Sequence, residues 1–304
     1  MLQCTEPGRI FIDITRGGCP CACRYCFVET GKEFLVTDEE IASLPGRLSA
    51  HSSYLPGPRG TLLTFGSNCD LFRTPGLAAG LIRALGEVTR LGNPIQISTK
   101  HRVRRVWASR IASLRKFKTQ VVIFISCATI SRASHYEPRT PPPEERFDSF
   151  GVLRDYEIPS CLFIKPFIPG VTDRDASTFI NVVRTRKPDA VCVGTFYLSE
   201  PIVERIKVSR DVLSEGPKHP LMKDSTWVVR PERRFINSLE VALPQMSVFQ
   251  NSACVVAYLQ GAYCPTLVWR NFPALCVGCQ DCDALYKEVI PAPALLDKAT
   301  AGQE

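Results

Sequence analysis

The stretch 10-IFIDITRGGCPCACRYC-26 joins an apolar run to a loop in which Cys19, Cys21, Cys23 and Cys26 crowd together. The run IFIDI is rich in β-branched and aromatic residues and reads as a strand, so the cysteines follow its carboxyl end. The same plan recurs downstream. The segments 61-TLLTF-65, 95-IQIS-98, 120-QVVIFIS-126, 160-SCLFIK-165 and 190-AVCVG-194 are near-continuous apolar runs, the pattern of parallel strands covered on both faces. Between them, residues 38–49, 76–91, 103–116, 143–155 and 174–186 carry amphipathic spacing. Thr37 with Glu40 sets a capping box ahead of the first of these helices, and Thr172-Asp173 opens the last. A βα unit repeated about six times fits either an open doubly wound sheet or a partial barrel. Both put their chemistry in the loops at the carboxyl ends of the strands.

The chain has 304 residues, 45% hydrophobic and 22% charged, which supports a sizeable core without disulfides. The opening residues lack a charged region followed by an apolar run, and no segment is long and apolar enough to span a bilayer. A cytoplasmic location is therefore expected, where thiols stay reduced and serve metals or catalysis. Of 14 cysteines, Cys19, Cys21, Cys23, Cys26 and the set Cys264, Cys276, Cys279, Cys282 form two groups, which scattered structural thiols do not do. The net charge of +7 is concentrated in part in 100-KHRVRRVWASRIASLRKFK-118, which has no acidic residue. Its ordinary reading is a solvated helix face; the sharper one is a surface for phosphate.

Cys19, Cys23 and Cys26 have the spacing C-x3-C-x2-C. A thioredoxin-like pair stands alone at a helix start, whereas two further cysteines precede this one. Zinc needs a fourth nitrogen or sulfur, which Cys21 could supply only in a cramped loop. Three thiolates on a [4Fe–4S] cluster leave one iron without a protein ligand, open to substrate or cofactor.

In the loop after the first strand, with Tyr25 beside the last cysteine, this motif resembles the radical S-adenosylmethionine (SAM) superfamily. Within it, 65-FGSNCD-70, 98-STKHRVRR-105, 136-YEPRTPPPEERF-147 and 166-PFIPGVTD-173 resemble the spore photoproduct lyase-like group, over about residues 8–200. The resemblance implies an α/β fold, a partial (β/α)6 TIM-type barrel over residues 1–200. A cysteine-rich extension (201–290) and a Pro/Ala-rich tail (291–304) would follow. It implies that Cys19, Cys23 and Cys26 hold a [4Fe–4S] cluster and that SAM occupies the open iron. The SAM contacts it implies are Tyr25 and Gly170–Val171 at the adenine, Gly66 and Ser67 at the amino group, Lys100 at the carboxylate and Ser126 at the ribose. The usual Gly-Gly-Glu is missing at Gly66–Ser67. Cys69 stands where photoproduct lyases carry a hydrogen-donating cysteine, although a buried thiol is also an ordinary small hydrophobe. Cys21 is outside the family pattern and is expected to point away. Glu137, Arg139 and Arg146 are candidates for binding a polar group or for bracing their own loop.

The second group, 276-CVGCQDC-282 with Cys264 upstream, is a four-thiolate set suited to an auxiliary [4Fe–4S] cluster or to zinc, with Cys254 as an alternative fourth ligand. The resemblance favours iron, while the extra cluster, which the photoproduct lyase pattern does not require, points to a modifying or biosynthetic enzyme. Its substrate would be a small molecule, nucleoside or peptide, and its electron donor a flavodoxin or ferredoxin. A nucleic-acid-acting lyase and a non-enzymatic zinc or iron–sulfur protein are the alternatives.

Overall fold

The structure, a computed structural model, describes residues 2–6, 8–207 and 227–261. Its centre is a single eight-stranded sheet. In spatial order the strands are β1 (Leu2–Glu6), β2 (Arg9–Ile12), β5 (Leu62–Phe65), β6 (Ile95–Thr99), β7 (Val121–Ser126), β8 (Ser160–Ile164), β9 (Ala190–Val193) and β12 (Val248–Phe249). From β2 to β12 every neighbouring pair is parallel; β1 runs antiparallel to β2 at the edge. Two further two-stranded antiparallel sheets are present: β3 (Thr15–Gly17) with β4 (Glu33–Leu35), and β10 (Phe196–Leu198) with β11 (Trp227–Val229).

The helices follow the strands as the βα pattern requires. They are α1 (Asp38–Ala42), α2 (Leu44–Ser49), α3 (Pro75–Val88), α4 (Arg105–Leu114), α5 (Ala133–Tyr136), α6 (Pro143–Asp155), α7 (Ala176–Arg186), α8 (Glu200–Ile206), α9 (Arg233–Ala242) and α10 (Ser252–Gln260). The capping box at Thr37 is present, with Thr37 Oγ accepting from Glu40 N and the Glu40 carboxylate accepting from Thr37 N. All six strands expected from sequence are there. The seventh parallel strand, β12, is two residues long and left no signal in the sequence.

Alternate residues of each strand serve different cores. Ile10 and Ile12, Leu63 and Phe65, Ile95 and Ile97, and Val121, Ile123 and Ile125 face the helix layer, meeting Leu81, Leu85, Ile111, Phe150 and Phe179. Leu62, Val122, Phe124, Cys161, Phe163 and Cys192 face the other way, against Ala253, Cys254, Val255, Val256 and Ala257 of α10. Continuous apolar strands thus arise because both faces are covered. On the β2–β5–β6 side this inner face turns polar. The buried Arg9 donates to Thr64 Oγ1 (3.0 Å), Gln96 Oε1 (2.7 Å) and Ser252 Oγ (3.1 Å), tying three strands to α10.

Arg9→Ala would strand the Thr64, Gln96 and Ser252 side chains in a dry interior. A loss of about 2–4 kcal/mol is expected, read as a lower urea midpoint with an unchanged m-value.

Candidate active site

The cysteine loop is held at its base. β3 and β4 pair Gly17 with Glu33, and Gly18 N then donates to Lys32 O (3.0 Å) and Cys19 N to Glu29 O (2.8 Å). A side chain at Gly18 would put its Cβ 2.6–2.7 Å from Gly31 N and Glu29 O, so only glycine lets the two limbs close. Within the loop, Cys26 N donates to Cys23 O (3.0 Å), and Val28 N donates to Cys26 Sγ (3.4 Å), a contact that favours a thiolate. Cys21 and Cys23 are buried; Cys19 and Cys26 are half-buried.

Cys21 does not point away, as sequence alone suggested. It is buried in a cluster that Cys19 packs against, and the neighbouring thiols of Cys21 and Cys69 pull the Cys19 thiol far down while theirs are pushed up. Cys69, at 6% exposure, therefore sits against the cysteine loop and outside the three main apolar clusters. Burial pushes Cys23 up to about 12 despite Lys100 nearby, and it raises Cys26 as well. Among the described residues no three metal-ligating side chains converge on one point, as a single zinc ion requires; a four-iron cube spreads its ligands over separate corners.

Lys100 reaches this loop from the end of β6. Its Nζ lies 5.7 Å from the Tyr25 ring centre. Burial alone would lower its ammonium, but Cys23, Glu137, Cys26 and Asp70 outweigh it and hold the charge in place. Asp70 organises the approach. Its carboxylate accepts from Lys100 N (2.5 Å), Thr99 Oγ1 (2.8 Å) and Phe72 N (3.1 Å). His101 Nδ1 lies 3.1 Å away, close enough to pair when protonated though not aligned as a hydrogen bond. Asp70 thus joins the loop that carries Cys69 to the loop that carries Lys100. Both motifs are visible in the sequence; the link between them is not, although Asp70 follows Cys69 directly.

Beneath the loop, Tyr25 Oη donates to Glu137, whose other oxygen pairs with Arg146. Both charged side chains are fully buried. Arg146 also donates to Pro141 O (2.7 Å), Thr140 Oγ1 (2.6 Å) and Ser126 O (3.2 Å). Glu137 and Arg146 are a brace, then, and Arg139 lies exposed outside it. Tyr25 packs in one apolar cluster with Cys21, Cys23, Ala128, Ile168 and Val171.

Gly66 follows β5 with φ +78°, and a Cβ there would lie 2.2 Å from Ser98 O, so β5 and β6 approach as only glycine allows. Ser67 beside it is half-buried. Ser126 Oγ donates to Lys165 O (3.4 Å). Lys165, which the sequence reading passed over, holds its Nζ 5.1 Å from the Tyr197 ring and 5.6 Å from that of Phe163. Gly170 has φ +74° and turns the chain before Val171.

Of the basic run 100–118, Lys100 enters this site. Ala108 and Ile111 of α4 pack on the helix-layer core. Outside them Arg105 pairs with Asp155 (2.5 Å) and Lys118 with Glu157 (2.6 Å), while Arg115 donates to the carbonyls of Lys118, Tyr156 and Glu157. The run is a solvated outer face. Cys254 is buried in the inner apolar cluster. Cys264, Cys276, Cys279 and Cys282 lie outside the described residues.

A variant of spore photoproduct lyase superposes with a TM-score of 0.60 at 13% identity, covering 80% of this chain and 76% of that one. The fold is that of spore photoproduct lyase. A second variant of that enzyme, with AdoMet and a dinucleoside spore photoproduct bound, superposes with a TM-score of 0.57 at 12% identity over the same shares. In sequence, an uncharacterized protein of Mycobacterium tuberculosis is 26% identical over 167 residues, 51% of this chain and 49% of that protein. The chain thus matches about half the length of its curated relatives. No family model matches. No helix among the described residues is long and apolar enough to cross a membrane.

Asp70 offers a pH test. Burial works against its charge, but His101, the Lys100 N–H and Thr99 win and hold its carboxyl below the usual range. A depressed folded value contributes stability above the unfolded value of about 3.9, lost as pH falls through the folded one. Asp70→Asn should lower the urea midpoint at pH 7 and flatten its decline between about pH 5 and 2; an equally steep decline would remove Asp70 from that role.

Proposed function

We propose that this chain is a radical SAM enzyme in which Cys19, Cys23 and Cys26 hold a [4Fe–4S] cluster. The observation that carries the reading is the meeting of that loop, at the carboxyl end of β2, with a half-buried ammonium from the end of β6 and a braced tyrosine. The donor set fits the group. It offers three thiols on one short loop, a backbone N–H on Cys26 Sγ, and Lys100 to balance negative charge. When bound, such a cluster presents one iron to SAM and, on receiving an electron, cleaves it to methionine and a 5′-deoxyadenosyl radical that takes hydrogen from the substrate.

The chain's own residues bind and orient. Lys100 pairs with the SAM carboxylate as a point charge. Tyr25, fixed by Glu137, and the backbone at Gly170–Val171 line the adenine; Gly66 and Ser67 meet the amino group, and Ser126 the ribose. Cys69 donates or relays hydrogen, since its S–H is a weaker bond than most C–H bonds. A partial barrel is supported by α10. About 13 Å long, it bonds Arg9 on β2 and packs on β9 and β12, whereas β2 and β12 would stand about 29 Å apart in a flat sheet. Residues 1–200 form the SAM unit, 201–290 a cysteine-rich extension, and 291–304 a tail. Cys264, Cys276, Cys279 and Cys282 hold an auxiliary [4Fe–4S] cluster, and a flavodoxin or ferredoxin in the cytoplasm supplies electrons. The substrate is a small molecule, nucleoside or peptide.

After anaerobic reconstitution the chain should carry about eight irons and Cys23→Ser about four. The wild type should release 5′-deoxyadenosine under dithionite and Cys23→Ser none. Absence of cleavage by fully loaded wild type would sink the proposal. Lys100→Met should weaken SAM binding about tenfold, about 1.4 kcal/mol. Cys69→Ala with unchanged product and rate would dismiss its hydrogen-transfer role.

A further inference from the structure

The outer surface of the cysteine loop carries a group of cations drawn from three segments of the chain. Arg24 lies between Cys23 and Cys26, with its N–H on Tyr136 O (2.9 Å). Arg132 lies over the ring of the same Tyr136 at 5.9 Å, and His135 meets that ring edge-on at 4.9 Å. From a third segment, α8, Arg205 donates to Cys26 O (2.6 Å) and Lys207 ends the helix. The Arg24 backbone and the Arg132 guanidinium thus meet at Tyr136 from separate parts of the chain, and partial burial first, then the charges of Arg24, Arg132 and Lys207, disfavour protonation of the neighbouring His135. None of Arg24, Arg132, Arg205 and Lys207 has a carboxylate within 4.0 Å among the described residues. Glu29 and Glu204 share the loop and the helix and pair with none of them. Phe27, directly after Cys26, is 58% exposed.

We propose that this face, centred on Phe27 and rimmed by Arg24, Arg132, Arg205 and Lys207, docks an acidic one-electron carrier protein of flavin or iron–sulfur type. The proposal rests on the functional reading above. Like charges gathered without counter-charge repel each other, and an acidic partner relieves that repulsion while steering itself in. An exposed aromatic at the centre of a charged rim suits a small transient protein interface and does nothing for a phosphate backbone. The face also covers the ligand loop itself, where Cys26 is half-buried. One electron passes from the reduced carrier to the oxidised cluster; the carrier is oxidised by one, and no bond or proton changes place.

The test compares reconstituted holoenzyme with the Arg132→Glu, Lys207→Glu double variant, neither residue belonging to the site. Reduced flavodoxin is mixed in and bleaching of the cluster is followed by stopped flow, alongside anisotropy of labelled flavodoxin. At low salt the variant's bleaching rate should fall about tenfold and lose its salt dependence, while bleaching by dithionite stays unchanged. Arg132→Lys with Lys207→Arg should keep the wild-type rate. A double-Glu variant bleached by flavodoxin as fast as wild type overturns the docking face. So does wild-type binding to duplex DNA or RNA that the Glu pair abolishes while flavodoxin bleaching is untouched. If dithionite bleaches the wild-type cluster but yields no 5′-deoxyadenosine, the enzymatic reading fails, and the flavodoxin rates still decide the docking.

Discussion

The site depends on one buried ion pair. Glu137 and Arg146 are both withdrawn from water, so every donor and oxygen they carry has to find a partner inside. Arg146 meets this by gripping the end of β7 through Ser126 O and its own loop through Pro141 and Thr140. Glu137 passes the constraint on to Tyr25. The cysteine loop, which has little regular structure of its own, thereby takes its position from the most rigid part of the sheet. A pair of this kind contributes less to net stability than to uniqueness, because moving any member leaves an uncompensated charge in a dry place.

Asp70 does the same from the opposite side. It accepts from the backbone of Lys100 and sits one residue after Cys69, so the ammonium and the thiol cannot shift independently. Tyr25, Lys100 and Cys69 come from three different loops, yet each is tethered to a strand end through a carboxylate. Loops at the carboxyl ends of parallel strands are free to vary in sequence; here two buried carboxylates remove that freedom where chemistry needs a fixed geometry.

How much of this was legible in the sequence follows from what kind of interaction fixes each part. The strands were readable because burial on both faces leaves a continuous apolar run, and Thr37 with Glu40 marks a helix start through local hydrogen bonds alone. The cysteine spacing, too, is local. What escaped was non-local. β12 is too short to have a period, and β1 sits antiparallel at an edge. Arg9 looks like a surface residue until Thr64, Gln96 and Ser252 converge on it from positions 55 to 243 residues away. Glu137 and Arg146 could have been ligands or a brace, and only their burial separates the two. Cys21 lies outside the family pattern, yet it is buried with Cys23 in the cluster that Cys19 packs against.

The two faces of the sheet divide the labour accordingly. The helix-facing side is apolar from β2 to β9 and can be read by periodicity. The inner side is apolar along β7, β8, β9 and β12 and at Leu62 of β5, against α10, and becomes polar at Arg9, Thr64, Gln96 and Ser98. A polar inner wall costs desolvation and is tolerated because each group is paired. The same helix, α10, closes the apolar half with Val255 and Val256 and reaches the polar half with Ser252. Six consecutive buried residues, Ser252 to Ala257, follow from lying across that boundary. It is the segment whose sequence makes least sense without the sheet.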